Sequence, residues 1–88
     1  MTTLSILAII FGTLMGAANL PQAYKIFRRK SARDISPITY SILFVGSLIW
    51  VFYGIQINNF AVIITNLITF IATGLVDLGW VLYGRDKK

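Results

Sequence analysis

The sequence contains no cysteine and no histidine. Their absence excludes disulfide bonds, thiol chemistry and the most common protein ligands of metal ions. The remaining residues do not assemble a nucleophile with a neighbouring base, and no glycine-rich phosphate-binding motif occurs. We therefore predict that the protein is not an enzyme and that it uses no metal or other cofactor.

Charged side chains are also scarce, at 12% of the 88 residues, whereas 57% of the residues are hydrophobic. A soluble domain of this length needs more polar surface to cover a small core. The basic residues behind the net charge of +5 lie in residues 25–33 and at the C-terminus. Basic residues that flank apolar segments are signals of membrane topology. The composition predicts a protein of the lipid bilayer, with no nucleic-acid partner.

Three apolar segments fill the chain, at about residues 4–27, 37–57 and 60–83. About 20 helical residues cross the ~30 Å hydrocarbon layer of a bilayer. Because lipid cannot satisfy backbone polar groups, each segment is expected to be a helix. The sequence predicts an all-α membrane protein, in which residues 1–88 form a single three-helix transmembrane bundle.

The connections between the spans predict their orientation. Residues 28–36 form a basic loop, whereas residues 56–59 form a short neutral turn. The positive-inside rule then places the basic loop and the C-terminus in the cytoplasm, and the N-terminus and the neutral turn outside. Ser36 followed by Pro37 predicts the start of the second helix, with a hydroxyl N-cap and a proline in the first turn.

The first span is interrupted near its inner end by Pro21. Proline removes the hydrogen bond to the carbonyl of Ala17 and tends to kink a helix. The neighbouring Gln22 can bond the freed backbone or another helix. Such a kink is either static or a hinge, and the residues leave both readings open. Gly12 and Gly16 form a G-x-x-x-G pair, whose simplest interpretation is close helix packing.

Two aromatic residues near the outer end of the second span invite different interpretations. Tyr53 is close enough to the end for an aromatic belt at the membrane surface. Trp50 lies about two helical turns inside the end, deeper than belt residues normally lie. Its flat ring offers a surface on which the apolar face of a sugar can stack. We therefore expect Trp50 to face a binding pocket.

The third span carries a polar stripe at a spacing of three to four residues, which places its members on one helical face. The stripe consists of Asn66, Thr69 or Phe70, Thr73, Asp77 and Trp80. Asn66 both donates and accepts hydrogen bonds, as recognition of a neutral polyol requires. The alternative is that it only holds neighbouring helices together. Asp77 either pairs with Lys25 or Arg28, or lines an inner gate with Tyr40 and takes up a proton.

Three short helices cannot bury such a stripe and also enclose a transport path within one chain. Closed symmetric assembly is the usual remedy, most often about a two-fold axis. Because every loop obeys one orientation, the two copies must be parallel. The expected partner is a second copy of the chain, and the expected pocket lies where Trp50 and Asn66 of both copies converge.

At this level of detail the sequence resembles a known family. Pro21-Gln22, the loop 30–36, the run 50–54 and Asn66 are similar in order and spacing to bacterial SemiSWEET sugar transporters, of the PQ-loop or MtN3/saliva superfamily. The similarity covers nearly the whole chain. It implies a protomer with spatial helix order 1-3-2, a parallel homodimer, and a multi-pass location in the bacterial cytoplasmic (inner) membrane.

The same resemblance implies facilitated diffusion of mono- or disaccharides by alternating access. It assigns substrate contact to Trp50 and Asn66, a hinge to Pro21, and the outer gate to Tyr53. Relatives often place an Arg and an Asp just after that tyrosine. The matching positions here are Ile57 and Asn59, so the outer gate is expected to close through hydrophobic and amide contacts.

Three functions remain distinguishable. The first is a sugar uniporter that works by rocking of two identical halves. The second is a proton-coupled transporter of another small solute, such as an amino acid, which would use Asp77, the only acidic residue inside a span. The third is a membrane subunit that transports nothing.

Overall fold

A computed structural model of the chain describes residues 2–31 and 35–84. The middle of the basic loop (residues 32–34) and the basic tail (residues 85–88) lie outside the described residues. The helices are α1 (Thr3–Ala17), α2 (Leu20–Arg29), α3 (Pro37–Gln56) and α4 (Phe60–Gly79), and α4 continues as a π-helical turn, Trp80–Gly84.

These helices form three segments that are long and apolar enough to cross a membrane: Thr3–Arg29, which combines α1 and α2, then Pro37–Gln56 and Phe60–Tyr83. Each exceeds the length that a bilayer requires. The prediction of an all-α protein with three membrane-spanning helices is therefore confirmed.

Side-chain caps set the starts of the helices. Ser36 Oγ accepts a hydrogen bond from the backbone N–H of Thr39 at 3.3 Å, and Pro37 is the first residue of α3. The predicted start of the second span is thus confirmed. Asn59 Oδ1 likewise accepts from the N–H of Val62 at 3.2 Å and caps α4. Both caps satisfy a backbone donor that has no partner inside its helix.

The helix α4 packs along α3 and also along α1 and α2. On the α1 side, glycines allow the backbones to approach closely. A Cβ atom at Gly12 would lie 2.5 Å from Thr65 Cγ2, and one at Gly16 would lie 2.6 Å from Thr69 Oγ1. The close packing predicted from the Gly12/Gly16 pair is confirmed, and it joins two helices of the same chain.

On the α3 side, glycine and aromatic contacts alternate. A Cβ atom at Gly54 would lie 2.9 Å from Ile63 Cγ1, and one at Gly74 would lie 2.8 Å from Phe44 Cε1. Phe44 also stacks on Phe70, with ring centroids 4.5 Å apart and planes 15° from parallel. The stack and the two glycine contacts hold α3 against α4 over most of their length.

The buried core of the chain lies at one end of the bundle, which we call the basic end because it carries residues 25–30. Its buried members are Ala23, Ile26, Ile35 and Val76, and the rings of Tyr40, Trp80 and Tyr83 pack against them. A Cβ atom at Gly79 would lie 2.5 Å from Ile26 Cγ2, so α2 and α4 also touch closely here. The opposite end, with the turn between α3 and α4, has no comparable cluster among the described residues.

The described chain is a thin slab, with Cα extents of 48 × 21 × 14 Å. At most 17% of the residues in the apolar part of each span are buried. Large apolar side chains are exposed on all three spans, among them Phe11, Ile49 and Ile71. A slab with such faces needs lipid or another protein chain to cover it.

Candidate functional site

The first span breaks at Ala18 and Asn19, just before Pro21. The N–H of Ala18 still bonds the carbonyl of Leu14 at 2.9 Å, whereas the N–H of Asn19 bonds the carbonyl of Gly16, only three residues back, at 3.2 Å. Helix α2 then begins at Leu20, with Pro21 in its first turn. A proline there removes only a donor that the start of a helix leaves unpaired. The interruption is therefore a helix end followed by a new helix start.

The side chain that supports this break is Asn19. Its Nδ2 donates to the carbonyl oxygen of Gly16 at 3.1 Å. Gln22, which the sequence offered for this purpose, is half-buried and makes no side-chain hydrogen bond within the described residues. Sequence reasoning overlooked Asn19, although an amide two residues before a proline in an apolar span is a visible signal.

Trp50 and Tyr53 come together on α3. Their ring centroids are 5.5 Å apart and the rings meet edge to face, at 89°. With Ile49 they line an open cavity of about 390 Å³. Trp50 is 52% exposed, although Ser47 and Gly54 on the neighbouring helical positions are buried against the rest of the chain. The indole of Trp50 therefore stays exposed beside the ring of Tyr53.

Asn66 on α4 is half-buried, and its Nδ2 donates to the carbonyl of Val62 at 2.9 Å. Its Oδ1 has no hydrogen-bond partner within residues 2–31 and 35–84. The amide thus keeps an acceptor and one N–H for a ligand. Helical spacing places it on the face of α4 opposite the exposed Ile71 and Leu75. No hydrogen bond joins Asn66 to Trp50 in the part of the chain that is described.

The threonines of the predicted polar stripe, and Thr65 beside it, behave differently. The hydroxyls of Thr65, Thr69 and Thr73 each donate to the carbonyl four residues earlier, at 2.8, 3.1 and 2.7 Å. Thr73 is fully buried. Because these hydroxyl protons are already used within α4, the threonines are packing residues. Asn66 and Asp77 keep free acceptors within residues 2–31 and 35–84.

The two inner-gate candidates lie at the basic end, in different surroundings. Tyr40, at the start of α3, is half-buried against the core cluster. Asp77 is half-buried on α4. The expected ion pair of Asp77 with Lys25 or Arg28 is not formed within the described residues. Arg28 Nη1 instead donates to the hydroxyl of Tyr24 at 3.0 Å.

At the opposite end, the turn positions that stand in place of a charged outer gate are exposed. Ile57 is 44% exposed, and Asn59 uses its side chain to cap α4. The backbone N–H of Asn59 bonds the carbonyl of Gly54 at 2.9 Å. Asn58 between them adopts a left-handed conformation, with φ of 54°, which asparagine tolerates better than most residues. These bonds fix a compact turn between α3 and α4.

Comparison with known proteins agrees with this architecture. The family model of the MtN3/saliva proteins, described as sugar efflux transporters for intercellular exchange, matches residues 2–88. The sugar transporter SemiSWEET of Escherichia coli (strain UMEA 3162-1) is 35% identical over 69 residues, which cover 77% of this chain and 75% of that protein. The SemiSWEET of Bradyrhizobium diazoefficiens is 29% identical over 72 residues, covering 82% and 84%.

A solved structure shows the same fold. The crystal structure of a bacterial homologue of SWEET transporters matches with a TM-score of 0.86 and 36% sequence identity, and the match covers 94% of this chain and 100% of that chain. The three apolar spans and these relatives identify a multi-pass protein of the bacterial inner membrane, and a transporter rather than an enzyme. The chain belongs to the MtN3/saliva family of sugar transporters and is of the SemiSWEET type.

Proposed function

We propose that the protein is a sugar uniporter that moves mono- or disaccharides by alternating access of a parallel homodimer. The observation that carries the proposal is that Trp50 is 52% exposed in a slab whose Cα atoms extend only 14 Å in the thinnest direction. One copy cannot enclose a sugar beside that ring. Two copies related by an axis along the membrane normal present two such rings to one central pocket.

The substrate is held by Trp50 and Asn66 of both copies. The indole stacks on the apolar face of the sugar ring, and the free groups of the Asn66 amide bond sugar hydroxyls. The helix order 1-3-2 of the protomer is supported by the packing of α4 against both other spans. That order leaves Asn66 next to α3, the helix that carries Trp50.

The moving part is the first span, with Pro21 and the adjacent Gln22 at its hinge. The break at Ala18 and Asn19 divides the span into two helices, of which α2 packs at the basic end. The binding residues lie on α3 and α4, which the Phe44–Phe70 stack holds together. A bend at the break therefore moves α2 at the inner mouth and leaves the binding residues in place.

The gates lie above and below this pocket. Tyr53, whose ring touches Trp50, closes the outer side with the uncharged turn. Tyr40 and Asp77 close the inner side at the basic end. The membership of the chain in a sugar-transporter family does not favour the alternative of proton-coupled amino-acid transport through Asp77.

Counterflow of radiolabelled glucose or sucrose into proteoliposomes tests this function. We expect exchange without a proton gradient, and we expect Trp50→Ala to abolish it. Phe52→Ala is the matched control, because Phe52 is an aromatic residue on the opposite side of α3 that is 62% exposed, compared with 52% for Trp50. Exchange that persists in Trp50→Ala, or that requires a proton gradient, contradicts the proposal.

A further inference from the structure

The basic end of the chain carries more positive charge than its own acidic residues can neutralise. The sequence contains eight Lys and Arg residues and three Asp and Glu residues, which leaves a net charge of +5. All eight lie in residues 25–33 or 85–88. Within the described residues, Lys25, Arg28, Arg29 and Lys30 are all exposed.

Much of this charge has a simple role, since basic residues set topology and favour the C-terminal end of a helix. Arg28 also forms a hydrogen bond with another side chain. Its Nη1 donates to the hydroxyl of Tyr24, one turn earlier, at 3.0 Å. Together with Phe27 these two side chains line an open cavity of about 610 Å³.

One wall of this cavity, the ring of Phe27, packs against another aromatic ring. Phe27 is half-buried, and its ring meets that of Tyr83 edge to face, with centroids 5.8 Å apart. Tyr24 is 63% exposed and lies on the opposite side of α2 from the buried Ile26. The cavity therefore faces away from the core of the chain.

The chemistry along this face changes from apolar to charged over two helical turns. Leu20, Tyr24 and Arg28 follow each other at four-residue intervals, so they form one row about 12 Å long on α2. Leu20 is an exposed apolar residue, Tyr24 is amphipathic, and Arg28 is charged. This is the order of environments from acyl chain to headgroup at a membrane surface.

We propose that the cavity lined by Tyr24, Phe27 and Arg28 binds the phosphodiester headgroup of an anionic phospholipid. Arg28 donates one N–H to Tyr24, and its other four N–H groups have no acceptor within the described residues, which is enough for a two-pronged contact with phosphate oxygens. The Tyr24 hydroxyl accepts from Arg28, so its own proton is free to bond the same phosphate. Lys25 adds charge one residue after Tyr24, and the acyl chains lie along Leu20. The proposed orientation assigns this site to the cytoplasmic leaflet, where basic pockets attract anionic lipids.

The site goes beyond sugar transport, and lipid binding tests it separately. Binding of single lipids to the purified protein in detergent is followed by native mass spectrometry. Phosphatidylglycerol is compared with phosphatidylcholine of the same acyl chains. We expect phosphatidylglycerol to bind about tenfold more tightly than phosphatidylcholine. Arg28→Gln is expected to weaken phosphatidylglycerol binding by about tenfold and so to abolish this preference. Sugar counterflow of each variant confirms that it is folded.

Arg29→Gln is the matched control, because it removes the same charge from the next residue, which does not line the cavity. It is expected to weaken binding by less than about fivefold, the contribution of one nearby cation to attraction by an anionic surface. Tyr24→Phe keeps every charge and both rings, so it tests the site even if Arg28→Gln does not fold. We expect it to weaken phosphatidylglycerol binding about threefold.

Three results overturn the proposal. Equal losses in Arg28→Gln and Arg29→Gln would show a diffuse attraction with no defined site. Equal binding of the two lipids, or an unchanged affinity in Tyr24→Phe, would show that the headgroup is not recognised here. Displacement of the lipid by millimolar inorganic phosphate would assign the cavity to a soluble anion.

Discussion

The side-chain amide of Asn19 and the backbone carbonyl of Gly16 are joined by a hydrogen bond of 3.1 Å across the break in the first span. The carbonyl of Gly16 also accepts the backbone N–H of Asn19 at 3.2 Å. Within a membrane a carbonyl at a helix end has no water to bond. Asn19 thus makes it possible for α1 to end inside an apolar span.

We predict that Asn19→Ala lowers the stability of the protein by about 1 kcal/mol, because the carbonyl of Gly16 loses one of its two donors. Thermal unfolding in detergent measures the change. Gln22→Ala is the control, since Gln22 makes no side-chain hydrogen bond within residues 2–31 and 35–84. A larger loss of stability in Gln22→Ala than in Asn19→Ala would show that Gln22, and not Asn19, supports the break.

The contact of Gly16 with α4 predicts a second effect. A Cβ atom there would lie 2.6 Å from Thr69 Oγ1 and 3.1 Å from the Thr69 backbone nitrogen. Since a backbone atom cannot move aside like a flexible side chain, Gly16→Ala should cost about 1–3 kcal/mol of stability. Unfolding in detergent measures this cost as well.

Gly46 offers the matched substitution for that experiment. A Cβ atom on Gly46 in α3 would meet no atom of the described residues within 4 Å. Gly46→Ala should therefore leave the stability unchanged or raise it by up to about 1 kcal/mol through helix propensity. Equal destabilisation by the two substitutions would contradict the packing of Gly16 against Thr69.

The hinge proposal is tested by the two prolines of the chain. Pro21→Ala restores a donor for the carbonyl of Ala17 and favours one continuous helix. We expect it to slow sugar counterflow while sugar binding is retained. Pro37→Ala is expected to transport normally, because Pro37 is the first residue of α3, which follows a loop, so its missing N–H leaves no carbonyl of a preceding helix without a donor. Transport by Pro21→Ala at the original rate would remove the hinge from the mechanism.

The role of Asn66 predicts a loss of affinity. Asn66→Leu keeps the approximate volume and removes the two free amide groups, so sugar binding should weaken about thirtyfold or more, at roughly 1 kcal/mol for each lost hydrogen bond. Thr65→Val is the neighbouring control, because the Thr65 hydroxyl bonds the carbonyl of Ala61 within its own helix. Isothermal titration calorimetry measures the affinity of each variant for sugar. Similar losses would mean that Asn66 acts only in helix packing.

The fold can be predicted from the sequence wherever a single strong physical effect decides the structure. The three spans follow from apolar length, and the start of α3 follows from Ser36 and Pro37. The break in the first span was harder to locate. Pro21 shows that a hydrogen bond is missing, but the position of the break depends on Asn19 and on how Gly16 already packs against α4.

The polar stripe of α4 shows a second feature that the sequence alone does not predict. Spacing places Asn66, Thr69 and Thr73 on similar faces, but it does not show whether a hydroxyl bonds its own helix. In the structure Thr69 and Thr73 donate to the carbonyls of Thr65 and Thr69, whereas the Oδ1 of Asn66 accepts no hydrogen bond from the described residues. That difference arises from side-chain length and from the side on which α1 docks. Neither is contained in the periodicity of the sequence.

The central claim is that two copies form one shared sugar pocket. Co-expression of wild-type and Trp50→Ala chains in known proportions, followed by sugar counterflow, tests it most directly. If each pocket needs Trp50 from both copies, an equal mixture retains about a quarter of the wild-type rate, and the rate follows the square of the wild-type fraction. A rate of about half, falling linearly with the wild-type fraction, would show that each chain transports alone and would contradict the account.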